Sequence, residues 1–89
     1  MEIVGIRQVN IGKIRATVDV QTSEGFIIRG FKVVEGDNGL FVAMPSEKTR
    51  TGKYVDLVRI DDRSLKEMLE AVVLDAYRKK LAKSSASSL

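Results

Sequence analysis

The chain contains no cysteine and no histidine, a single proline, and aromatic residues at only 6%. Without cysteine there is no disulfide, and without either residue the common zinc sites and the thiol and imidazole routes to catalysis are closed. A nucleophile would have to be a hydroxyl activated by lysine, or a carboxylate pair would have to act, and no serine stands in such a setting. Asp61 and Asp62 are adjacent, so they diverge in either regular structure and read better as a helix cap. The expectation is a protein that is not an enzyme and uses no metal, no cofactor and no small-molecule substrate. No apolar run approaches the roughly 20 residues that span a bilayer, and Met1-Glu2-Ile3-Val4 lacks the basic start of a signal peptide. A cytoplasmic protein without membrane contact is expected.

What is present suits one small domain. Eighty-nine residues, 44% apolar and 30% charged, leave room for a single core. The ordered domain is expected over 1–83, with the serine-rich 84–89 as a disordered tail. So short a chain buries a modest share of its surface, which makes association with a second copy a reasonable source of further burial. Fifteen basic and 12 acidic residues give a net charge of +3, too small to name a partner, but the charges are clustered. Lys48, Arg50, Lys53 and Arg59 face only Asp56 in their stretch, and Arg78, Lys79, Lys80 and Lys83 face no acid. Between them, Asp61, Asp62, Glu67, Glu70 and Asp75 make the start of the last helix acidic.

The pattern along the chain is strands first and a helix last. Residues 3–9 are β-branched and lead into the turn Asn10-Ile11-Gly12-Lys13. Residues 14–20 alternate strictly, Ile14, Ala16, Val18 and Val20 against Arg15, Thr17 and Asp19, as in a half-buried strand. After the turn Thr22-Ser23-Glu24-Gly25, residues 26–34 form a longer strand. Its alternation groups Phe26, Ile28, Gly30, Lys32 and Val34 on one face and Ile27, Arg29, Phe31 and Val33 on the other. Residues 40–44 pair with it through Gly36-Asp37-Asn38-Gly39, and Pro45 ends the run. Residues 46–53 read as a polar, basic loop, and 54–60 as a last strand. Asp61 or Asp62, or Ser64 with Glu67, can cap a helix whose stripe Leu65, Met68, Leu69, Val72 and Ala76 is widened by Val73, Leu74, Tyr77 and Leu81. That width calls for a second packing partner. The fold class is therefore α+β, a small antiparallel sheet of four to five strands followed by a C-terminal helix.

Few motifs carry chemistry. Gly36-Asp37-Asn38-Gly39 has the bare G-x-x-G spacing of a KH phosphate clamp, yet it joins two strands rather than two helices and carries an acid, so a hairpin turn with glycines at positive φ is the better reading. Gly52-Lys53 lacks the spacing of a P-loop. Lys48-Thr49-Arg50-Thr51-Gly52-Lys53 combines cations, hydroxyls and a flexible glycine, the groups that contact backbone phosphates, and a plain solvated loop competes with that reading on equal terms. The cluster over 78–83 suits the negative end of a helix better than nucleic acid. Among the aromatics, Phe26, Phe31 and Phe41 occupy core-like strand positions and Tyr54 borders the basic loop, so packing outweighs base stacking.

The string Gly39-Leu40-Phe41-Val42-Ala43-Met44-Pro45-Ser46 after a strand pair resembles the SpoVG (stage V sporulation protein G) family. Supporting matches are Val9-Asn10, Ile14-Arg15-Ala16, Val33-Val34-Glu35-Gly36, Lys48-Thr49, Gly52, Tyr54, Asp56 and Glu70-Ala71-Val72, over roughly 1–77. The resemblance implies a bacterial, cytoplasmic homodimer built from a small antiparallel sheet and a C-terminal helix, with members that bind DNA and RNA as regulators. Two segments depart from the family pattern: Arg59-Ile60-Asp61-Asp62-Arg63 stands where a His-Pro-Ile-Asn-Ser type segment is usual, and Arg50-Thr51 where Pro-Asp is common. Two-fold symmetry would repeat the basic loop into one footprint. Lys48, Arg50, Lys53 and Arg59 are then the candidates for phosphate contact, and Arg63 and Lys66 for base contact. The alternative is a protein-interaction adaptor of the division or envelope machinery, using the apolar excess of Phe31, Val73 and Tyr77.

Overall fold

The computed structural model describes residues 1–87 and is a four-stranded meander with a long helix against one face and a separate small hairpin. Strands β1 (Glu2–Ile11), β2 (Ile14–Gln21), β3 (Ile27–Gly36) and β4 (Gly39–Ala43) pair antiparallel in the order β1-β2-β3-β4. Strands β5 (Ser46–Lys48) and β6 (Tyr54–Asp56) make a second, two-stranded sheet, and α1 runs over Arg63–Ser87. Of the tail expected over 84–89, residues 88–89 lie outside the described residues.

The alternation of β2 sets the core. Ala16, Val18 and Val20 are buried, and the register puts Val33, Phe31 and Ile28 opposite them on β3 and Gln8, Ile6 and Ile3 on β1. Ile28 rather than Ile27 shares the face of Phe31 and Val33, because the register shifts by one between Val18↔Phe31 and Val20↔Ile28. Gly30 sits in that bulge at φ +96, a conformation that costs a side-chain-bearing residue strain, and one extra residue reverses the facing of everything beyond it. Strict alternation therefore misassigns Ile27, which is exposed. From β4, Val42 lies opposite Val33 and is buried, with Leu40 partly so.

The helix closes this face with Leu69, Val73, Leu74 and Tyr77, positions at i, i+4, i+5 and i+8 that form one stripe. It packs across β1, β4 and β3. Each fully buried side chain of this size is worth about 1.5–3 kcal/mol, so Phe31, Leu69 and Val73 dominate the seam. The stripe stops short at its start: Leu65 and Met68 are exposed. Asp62 is the N-cap, its Oδ1 accepting from the Leu65 N–H at 3.0 Å, whereas Asp61 is engaged by Arg59. The helix runs through Ser87, so Arg78, Lys79, Lys80 and Lys83 lie within it rather than in its last turn.

Two strand boundaries differ from the sequence reading. Ser46-Glu47-Lys48 is a strand, not part of a loop, and the strand expected over 54–60 ends at Asp56. Pro45 separates the sheets: it has no N–H to continue the ladder of β4, while its carbonyl accepts from the Leu57 N–H at 2.7 Å. Beyond that bond the chain has no strand beside it, and it runs irregularly into the cap. Of the aromatics assigned to packing, Phe31 and Tyr77 are buried, but Phe26 and Phe41 are exposed.

Candidate nucleic-acid interface

The β5–β6 hairpin carries half of the expected site. Lys48 closes the ladder opposite Tyr54, and the loop beyond it is held by its own hydrogen bonds. The Thr49 N–H donates to the Lys53 carbonyl at 2.7 Å, the Gly52 N–H donates to the Thr49 carbonyl at 3.0 Å, and the Lys53 N–H reaches Thr49 Oγ1 at 3.3 Å. Gly52 takes φ +85, which lets the turn close onto a right-twisted hairpin. Lys48, Arg50 and Lys53 are exposed, and none has an ion-pair or side-chain hydrogen-bond partner among the described residues. Loop stiffness and unpaired charge together suit phosphate, since the cations are held close without being neutralised.

The other three expected residues sit at the helix entry, where they meet carboxylates. Arg59 Nε donates to Asp61 Oδ1 at 2.8 Å, and Arg63 Nε lies 3.6 Å from Glu67 Oε1 one helical turn on. Lys66 shares a cleft of about 500 Å³ with Met44, Asp56, Arg59, Ile60 and Asp61. The structure thus brings Lys48, Arg50 and Lys53 together, and brings Arg59 to Lys66 beside two acids; Arg63 does not line that cleft. Exposed ion pairs are weak and exchange readily, so Arg59 and Arg63 could still turn to a ligand, at the expense of those pairs.

A second cationic group is absent from the sequence-derived set. Arg7 lies opposite Thr17, Thr17 opposite Lys32 and Lys32 opposite Ala43, a row across all four strands. Arg7, Thr17, Asp19, Arg29, Gly5, Ile6 and Gly30 line a shallow cleft of about 490 Å³. Gly5 leaves room in it: a Cβ there would come within 3.1 Å of Asp19 Oδ2. Only the alternation of Thr17 and Asp19 hinted at this group; the bulge hid Arg29, and strand pairing cannot be read from one strand at a time.

The architecture defines a small α+β protein of one meander, one hairpin and one helix. The family profile described as SpoVG matches residues 1–79, and the chain belongs to that family. Proteins named "Putative septation protein SpoVG" are similar to it along most of its length. The one from Heliobacterium modesticaldum is 42% identical over 80 residues, covering 89% of this chain and 90% of the relative. The one from Clostridium perfringens strain SM101 is 40% identical over 77 residues, covering 85% and 86%. A third, from Lachnospira eligens, is 40% identical over 68 residues, covering 76% and 77%. Among the described residues, no helix is long and apolar enough to cross a membrane.

Proposed function

We propose that this chain is a cytoplasmic, homodimeric, nucleic-acid-binding regulator acting in septation-type or broader gene control. In this reading Lys48, Arg50 and Lys53 neutralise backbone phosphates, with Arg59 joining them and Arg63 and Lys66 approaching base edges. The observation that carries it is the set of unpaired cations on a loop stiffened by its own hydrogen bonds. Dimerisation is supported by the apolar surface the single chain leaves open, Tyr54 at 70% exposure together with Val55, Leu57, Leu65 and Met68. The same surface favours a second reading, an adaptor that docks a division or envelope protein without touching nucleic acid. Phe31, Val73 and Tyr77, which the sequence offered for that docking, are buried in the core and do not serve it.

Fluorescence anisotropy with short random DNA and RNA, titrated over about 50–200 mM salt, tests the first reading, with mass from light scattering in parallel. The expected result is salt-steep binding by a species of twice the chain mass. Replacing Lys48, Arg50 and Lys53 by alanine should lower the slope of log affinity against log salt by roughly 2–3. Absence of binding at low salt would leave the adaptor, and a monomeric mass would remove the dimer.

A further inference from the structure

Resting on the nucleic-acid reading above, we infer that the open face of the meander is a separate binding surface that takes single-stranded nucleic acid. The helix packs on the face that carries Ala16, Val18 and Val20, and among the described residues no second element is packed as a layer over the opposite face, which carries Thr17 and Asp19. On that face the register brings cations from two strands together across β2: Arg7 from β1 and Lys32 from β3 flank Thr17, and Arg29, also from β3, lines a cleft with Arg7 and Thr17. None of the three has an ion-pair or side-chain hydrogen-bond partner among the described residues, and Asp19 is the sole acid lining the cleft. The balance is positive, and the guanidinium and ammonium donors are free for phosphate oxygens.

An exposed aromatic lies near Lys32. Phe41 is 45% exposed and sits opposite Val34, two residues along β4 from Ala43, the partner of Lys32. Its Cε1 and Cδ1 lie over Gly36, where an added Cβ would come within 2.9 Å and 3.3 Å of them, so the glycine leaves the space the ring occupies. Stacking on this exposed ring is available to a base that is not already paired in a duplex. Asp19, Thr17 and the room left at Gly5 supply an acceptor, a hydroxyl and close backbone approach for a base edge. Cations that track a backbone beside an exposed ring suit an unpaired strand.

The test compares a single-stranded oligo(dT) with a duplex of equal length, both labelled, on the full chain. Two variants are used, Arg7→Gln/Arg29→Gln/Lys32→Gln and Phe41→Leu, the second keeping apolar bulk over Gly36. The expected loss for Phe41→Leu is on the order of 5- to 100-fold on the single strand, with duplex affinity changed less than about twofold. The triple variant should lower the single-strand salt slope by roughly 2. Photocrosslinking of the parent chain to iodouridine-substituted oligonucleotide gives a readout independent of variant folding, and adducts are expected in the peptide carrying Phe41. If both variants bind single strands like the parent, or adducts fall only on the β5–β6 hairpin, the sheet site is overturned while the hairpin reading stands. If the parent chain binds no nucleic acid at all, both fall.

Discussion

The loop 22–26, which joins β2 to β3, and the loop 49–53, which joins β5 to β6, are closed by the same hydrogen bonds. In the first, the Thr22 N–H donates to the Phe26 carbonyl at 2.8 Å and the Gly25 N–H to the Thr22 carbonyl at 3.0 Å; in the second the corresponding distances are 2.7 and 3.0 Å. The threonine hydroxyl accepts from the amide four residues on in both, at 3.1 Å from Phe26 and 3.3 Å from Lys53. Each glycine is left-handed, Gly25 at φ +101 and Gly52 at φ +85. Threonine and glycine therefore write the backbone, and the residues between them are free to carry chemistry. One loop presents Ser23, Glu24 and an exposed Phe26, and the other presents Arg50, Thr51 and Lys53. Shape is shared and charge is opposite, so any anion binding must follow the side chains and not the turn.

Exchanging the loop chemistry gives the largest expected effect. Arg50→Ser/Thr51→Glu keeps the turn, removes a cation and adds an acid, and should weaken nucleic-acid binding with a salt slope lower by roughly 1. The reciprocal Ser23→Arg/Glu24→Thr should fold normally and leave affinity near the parent value, because the 22–26 loop belongs to a different hairpin from Lys48 and Lys53. Restoration of binding in a chain carrying both exchanges would mean that a basic turn anywhere suffices. Smaller is the cost of Gly25→Ala and Gly52→Ala. Nothing lies within 4 Å of a Cβ on Gly25, and on Gly52 only Lys48 Cε at 3.9 Å, so each change strains the backbone alone. Urea unfolding should show about 1–2 kcal/mol for either. A large difference between them would show that the two loops do not share one backbone in solution.

Legibility in the sequence followed whether a signal was local. The turn over 22–25, the strict alternation of 14–20 and a cap drawn from Asp61, Asp62 or Ser64 are properties of neighbours in the chain and legible there. The turn at 49–52 reads only as part of a basic loop, and the choice of Asp62 as cap comes from the fold. The bulge at Gly30 was not: a glycine in a strand permits a bulge but does not say where the partner strand will shift, and the error misplaced Ile27 and Arg29. Ser46-Glu47-Lys48 carries no β-branched or aromatic residue, so β5 exists through pairing with Tyr54-Val55-Asp56 and not through propensity. The same division runs through the candidate sites. Lys48, Arg50 and Lys53 are contiguous and legible, whereas Arg7, Arg29 and Lys32 become neighbours only once three strands are in register.

The finest test of the shared loop lies in Glu24, the third residue of the first turn, as Thr51 is of the second. In the basic loop Thr51 Oγ1 lies 3.0 Å from Thr49 Oγ1. At the matching place a carboxylate receives its own backbone amide first, then the Thr22 and Ser23 hydroxyls, and these hold it below its ordinary value of 4.5. A carboxyl group depressed on folding stabilises the native state above the unfolded value, and that contribution is lost as pH falls through the folded one. Carbon-detected NMR titration should find the Glu24 midpoint below that of an ordinary glutamate. Thr22→Val should raise its midpoint toward 4.5, with the backbone amide and Ser23 retaining part of the depression. Glu24 is fully exposed, so the accompanying change in stability is small and confined to acid pH. An ordinary midpoint in the parent chain would mean that the 22–26 turn opens in solution, and the hairpin at 49–53, closed by the same bonds, would then need its own evidence for stiffness.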